Sequence, residues 1–163
     1  MKAGLLKKGD VIGLVSPSHI AIEESYEKIV AGLESKGFRV KTGRNLYRTT
    51  WGHLASTQER ADDFNEMVAD DEVTMIFFGG GTGSVPLLPL IDYENIRKHP
   101  KLYVSYSDGT SILNAIWFQA GVETFYGQTP GLFESVCAFD ETQFVSRLME
   151  GGTCCLTGEG MRE

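Results

Sequence analysis

The run Val73-Thr74-Met75-Ile76-Phe77-Phe78 breaks without transition into Gly79-Gly80-Gly81-Thr82-Gly83-Ser84, and no other stretch constrains the fold as much. Six mainly apolar residues with no polar alternation suit a strand covered on both faces, as in a sheet sandwiched between helices. The glycines then turn the backbone at the strand's end with no side chains in the way. Similar units recur along the chain. Val11 to Val15 is a short apolar run closed by Ser16-Pro17-Ser18, and Ile22, Tyr26, Ile29, Val30 and Leu33 follow at helical spacing up to Gly37. Phe38 to Val40 reads as a second strand, and Lys41 to Ala55 as a loop carrying Arg44, Tyr47, Arg48, Trp51 and His53.

Ser56-Thr57-Gln58-Glu59 is a capping-box signature opening a helix with Ala61, Phe64, Met67 and Val68 on its apolar face. After the glycine run, a short helix is predicted over Val85 to Ile91 and another over Asp92 to Lys98. Leu102 to Tyr106 reads as a strand, and Ile112, Leu113, Ile116 and Ala120 as a helix closed by Gly121. Thr124 to Tyr126 is a last strand, and Asp140-Glu141-Thr142-Gln143 starts a last helix. Strands alternating with helices predict an α/β fold, an open and mostly parallel sheet with helices on both faces in three layers, Rossmann- or flavodoxin-like.

At 163 residues the chain is one domain's worth of core. A net charge of −7 argues against nucleic acid and anionic membrane surfaces as partners, since both call for a basic footprint. No apolar run spans a bilayer, and Met1 to Asp10 lacks the apolar segment of a signal peptide. Cys137, Cys154 and Cys155 have no disulfide or metal-ligand spacing and read as reduced thiols.

In a parallel sheet, ligands sit beyond the carboxyl ends of the strands. Two loops fall there, residues 79–84 and 105–110. The first is a weak dinucleotide fingerprint, because Gly79-x-Gly81-x-x-Ser84 lacks a third glycine, and it is no P-loop. It suits a bare backbone cradle for an oxyanion or carboxylate, with a plain tight turn as the bland alternative. In the second, Ser105-Tyr106-Ser107-Asp108-Gly109 approximates the G-x-S-x-G elbow of a nucleophilic serine with its first glycine replaced. Many strand-end serines merely cap a helix. A serine nucleophile also needs a base, yet His19, His53 and His99 all precede it. His99 lies in a turn that reads as solvated, whereas His19 follows the first strand and is either a candidate for the same edge or a plain loop histidine.

These segments together resemble the N-terminal domain of the LD-carboxypeptidase family of serine peptidases, which includes the microcin C immunity peptidases. The resemblance runs from Gly9-Asp10-x-Ile12-Gly13 and Ser16-Pro17-Ser18 through Ser56-x-x-Glu59-Arg60-Ala61-x-x-Phe64-Asn65 and Leu87-Leu88-Pro89-Leu90-Ile91-Asp92-Tyr93. It continues in Pro100-Lys101, Tyr106-Ser107-Asp108-x-Thr110 and Thr124-Phe125-Tyr126-Gly127. It implies that Ser107 is the nucleophile, that the Gly81 and Asp108 amides form an oxyanion hole, and that Gly80 and Thr82 contact substrate. It also implies a cytoplasmic hydrolase, homodimeric in its family, that uses neither a metal nor a cofactor and cuts an amide bond in a murein peptide or a peptidyl-nucleotide.

The family's glutamate and histidine sit in a C-terminal domain outside this sequence. Residues 1–150 are therefore expected to form the nucleophile-bearing domain and 151–163 the start of a linker, the piece being inactive alone. Three departures stand out. Ser105 replaces a glycine, which leaves open whether the elbow is crowded, Gly79 replaces an arginine of many murein-cleaving members, and Gln128 replaces a proline. The competing reading is a non-catalytic module holding a small anion at residues 79–84.

Overall fold

The computed structural model describes residues 1–50 and 52–153. Strand β1 (Val11–Val15) leads into helix α1 (Glu23–Ser35), β2 (Arg39–Thr42), α2 (Thr57–Ala69) and β3 (Val73–Phe78). A 3-10 segment (Val85–Leu90), α3 (Tyr93–Lys98) and β4 (Leu102–Ser105) follow. A single 3-10 turn (Ser107–Gly109) then runs straight into α4 (Thr110–Ala120). Strand β5 (Phe125–Tyr126), a 3-10 segment (Pro130–Glu134) and α5 (Ala138–Phe144), extended by a π-helical turn (Val145–Met149), complete the described chain.

The five strands form one sheet in the order β2-β1-β3-β4-β5, and every neighbouring pair is parallel. Side chains from alternate strand positions divide between two cores, as the two-residue period of a strand requires. Ile12, Leu14, Met75, Phe77 and Val104 point to the face covered by α1 and α5, where Phe133 and Phe144 close the layer edge to face. Val15, Ile76, Phe78 and Tyr103 point to the other face, against Phe64 of α2 and Ile112 and Ile116 of α4. The three-layer α/β architecture expected from the sequence is the one observed. No helix among the described residues is long and apolar enough to cross a membrane.

Three boundaries differ from the sequence expectation, each for a physical reason. Strand β2 is an edge strand displaced to residues 39–42, while Phe38 packs instead into the core against Phe144. Its outward residues Arg39 and Lys41 pair with Glu72, a polar pattern that hides the strand. The segment after the glycine run is 3-10 rather than α, with Pro86 and Pro89 removing two N–H donors from six residues. Helix α5 starts at Ala138, ahead of the Asp140 cluster, and Asp140 turns back to accept from the Cys137 thiol at 3.0 Å. Cys137 is an exposed free thiol, whereas Cys154, Cys155, Trp51 and most of the expected linker lie outside the described residues.

Register fixes where a site can form. Val15 lies opposite Phe78, and Phe77 opposite Val104, so the loops after β1, β3 and β4 leave the same edge. The chain order reverses between β1 and β3, because β1 sends its next strand to one side and the following strand to the other. That reversal opens a crevice between the two loops, the usual ligand position in such sheets.

Candidate active site

Ser107 stands at the point where β4 becomes α4. Its φ is 55°, the only positive value at a non-glycine position among the described residues. A left-handed serine costs on the order of 1 kcal/mol relative to ordinary backbone, so the surrounding contacts must hold it there. They do so from both sides. Tyr106 before it is fully extended, and the Gly109 N–H donates to the Tyr106 carbonyl at 3.1 Å, closing the turn. The Thr110 hydroxyl donates to the Ser107 carbonyl. The serine side chain is left exposed at the sheet edge.

Ser105 fits beneath this turn because residue 109 has no side chain. A Cβ at Gly109 would lie 2.1 Å from the Ser105 Oγ and 3.0 Å from Phe78. The buried Ser105 hydroxyl occupies that space, without a hydrogen-bond partner among the described residues.

The glycine loop is wedged between the Ser107 turn and the loop after β1. A Cβ at Gly80 would sit 2.6 Å from the Ser107 Cβ and 2.9 Å from the Tyr106 carbonyl oxygen. A Cβ at Gly81 would sit 2.1 Å from the Ser18 carbonyl oxygen, and φ there is +154°. Only glycine permits both approaches. Three anchors hold the loop in place. The Thr82 N–H donates to the Ser18 carbonyl at 2.6 Å. Ser84 spans to Asp108, its N–H donating to the Asp108 carboxylate at 2.9 Å and its hydroxyl to the Asp108 carbonyl at 2.8 Å. The Arg60 guanidinium donates to the carbonyls of Gly83 (2.8 Å), Ala55 (2.9 Å) and Pro17. The Gly81 and Asp108 N–H groups have no acceptor among the described residues.

Arg60 is the member of this cluster that sequence reasoning missed. It appeared only inside a family motif, on a helix whose capping box drew the attention. A lone arginine on an amphipathic helix looks solvent-facing, and only the structure shows it 8 % exposed and bonded to carbonyls of three loops.

The histidines separate. His19 lies beside the glycine loop, its ring 5.9 Å from that of Tyr26 and its Nε2 2.7 Å from the Tyr26 hydroxyl. Its Nδ1 is buried without a partner, and burial holds its pKa below the usual histidine value. A Cβ at Gly79 would come within 2.9 Å of the His19 ring. His53 is exposed at the mouth of the crevice. His99 precedes β4, at the opposite end of the sheet, with its Nδ1 3.2 Å from Asp71. None of the three is hydrogen-bonded to Ser107.

Residues 12–127 match the family model described as the LD-carboxypeptidase N-terminal domain. The chain is 36 % identical over 137 residues to the Microcin C7 self-immunity protein MccF of Escherichia coli, covering 82 % of this chain and 39 % of that protein. It is 37 % identical over 128 residues to a Bacillus subtilis protein named "Probable murein peptide carboxypeptidase", covering 77 % of this chain and 40 % of the relative. Among solved structures, a mutant of MccF in complex with adenosine monophosphate superposes with a TM-score of 0.83 at 30 % identity, over 94 % of this chain and 48 % of that one. The chain thus spans under half the length of the relatives it matches, and it belongs to the LD-carboxypeptidase family through that family's N-terminal domain.

Proposed function

We propose that this domain supplies the nucleophile of a serine-type peptidase that hydrolyses an amide bond in a small peptide or peptidyl-nucleotide. One observation carries the reading: an exposed serine in left-handed conformation, pressed against a glycine loop, with the Gly81 and Asp108 N–H groups of the two loops without an acceptor among the described residues. Ser107 Oγ attacks the scissile carbonyl carbon, and its proton passes to a base. Charge gathers on the carbonyl oxygen, where two preorganised N–H donors about 3 Å away stabilise it. The amine leaves with a proton, and water then cleaves the acyl-serine. Gly80 and Thr82 line the approach.

His19 is committed to Tyr26, so we assign the base and its orienting carboxylate to the part of the protein for which the relatives are longer. The reading includes a cytoplasmic location and the homodimer of the family.

Of the two substrate classes, the peptidyl-nucleotide is favoured by Gly79. The His19 ring lies against the space where a side chain at 79 would start, so an arginine there would require the ring to move. The test is hydrolysis by the full-length protein of an LD-tetrapeptide and of a peptidyl-adenylate analogue, each beside Ser107→Ala. The variant should lose about 10⁴-fold or more in kcat. Equal rates with and without the hydroxyl would leave the non-catalytic binding module as the better reading.

A further inference from the structure

The crevice between β1 and β3 holds more than the glycine loop. It is an open cleft of about 750 Å³, with Ser18, Arg60, Gly81 and Thr82 in its wall and His53 at its mouth. Two of these groups are incompletely satisfied. Arg60 carries a buried positive charge whose bonds all run to neutral carbonyls through Nε and Nη1, so Nη2 has no acceptor among the described residues. No carboxylate lies within ion-pair distance of it there. The nearby Asp108 carboxylate accepts from the Ser84 N–H and attracts the guanidinium only from beyond ion-pair distance. Ser18 is 2 % exposed, and its hydroxyl has no partner.

A buried charge without a direct ion pair, and a buried hydroxyl without a partner, each cost folding free energy unless something answers them. Both here face the switch point of the sheet. We propose that Arg60 and Ser18, with His53 at the rim, form a subsite for an oxyanionic group of the substrate, a phosphate or a carboxylate. The proposal deepens the reading above and rests on it for the position of the scissile bond. Arg60 Nη2 supplies the charge, the Ser18 hydroxyl donates one hydrogen bond, and the Gly81–Thr82 backbone bounds the group on the side of Ser107. The anion would sit one loop away from the reacting carbonyl, so that binding it also fixes the glycine loop against Ser18.

Ser18→Ala is the discriminating variant, because its hydroxyl makes no bond in the fold that its loss would break. Calorimetric titration of the chain with inorganic phosphate, adenosine monophosphate and N-acetylalanine distinguishes the two oxyanions. We expect saturable binding of at least one, weakened about tenfold in Ser18→Ala and at least as much in Arg60→Lys, with the thermal midpoint of Ser18→Ala not lowered. Ser107→Ala should bind like the unaltered chain, so a failed hydrolysis assay and a failed anion assay point to different errors. Absence of saturable binding by all three probes, or equal affinity in Ser18→Ala, overturns the subsite.

Discussion

Ser105 and Gly109 form a matched pair beneath the Ser107 turn, and their coupling can be measured. Gly109→Ala drives a Cβ onto the Ser105 hydroxyl and should destabilise the domain by about 1–3 kcal/mol, the usual cost of overpacking. Ser105→Ala removes that oxygen and a buried unpaired hydroxyl together, so alone it should be neutral or stabilising. In the double variant the Gly109→Ala loss should shrink by about 1 kcal/mol, because residues in contact do not add. Urea titrations of the four proteins give the cycle, and strict additivity would mean that the turn absorbs the clash elsewhere.

His19 makes a second residue-scale prediction, in pH. Its pKa in the fold is depressed by burial, so the native state binds fewer protons than the unfolded chain as pH drops. Stability present above the unfolded value of about 6.5 is therefore lost as pH falls through it, levelling off only below the folded value. Thermal midpoints between pH 8 and pH 5 should decline, and His19→Asn should flatten part of that decline. An unchanged slope in the variant would remove His19 from the account.

At the scale of elements, β4 contains an unexplained feature. Tyr103 is fully buried, stacked on Phe64 with ring centroids 6.0 Å apart, and its hydroxyl has no partner among the described residues. Tyr103→Phe keeps the ring packing and removes the orphan oxygen, so stability should stay level or rise by about 1 kcal/mol. A loss of about 1 kcal/mol or more in chemical denaturation would show that the hydroxyl is satisfied in solution, as by a buried water. Elsewhere, elements were legible where local chemistry decided them. The capping box of Ser56 and Glu59 forms as read, with reciprocal bonds of 3.2 and 2.9 Å, and β3 ends in the glycine loop as its apolar run implied.

Legibility failed where tertiary contacts took over. The polar edge strand β2 is held by its pairing with β1, and the inward turn of Arg60 depends on carbonyls from three separate loops. Neither leaves a periodic trace. The candidate serine and its glycine loop were visible because both rest on short-range backbone requirements. The crevice was not, since it exists only once β1 and β3 lie side by side.

The whole molecule carries the last prediction. Both faces of the sheet are closed by cores internal to the described residues, one under α1 and α5 and one under α2 and α4. Such a two-sided core supports folding as an independent unit. The 163-residue chain should therefore unfold cooperatively, with coincident transitions by fluorescence and circular dichroism. Hydrolysis asks for more than a fold. A serine hydroxyl at neutral pH is a weak nucleophile without a positioned base, and His19 has its nearest bond to Tyr26 rather than to Ser107. In serine peptidases stripped of the triad, an oxyanion hole and binding alone leave about 10³–10⁴ over the uncatalysed rate, well below a working enzyme. The isolated chain should thus hydrolyse a peptidyl-adenylate analogue at no more than that residual level, while the full-length protein turns over. Enzyme-like, Ser107-dependent turnover by the isolated chain would overturn the assignment of the base to the remaining length of the protein. Loss of that turnover in His19→Asn would then identify the imidazole beside Gly79 as the group that takes the proton.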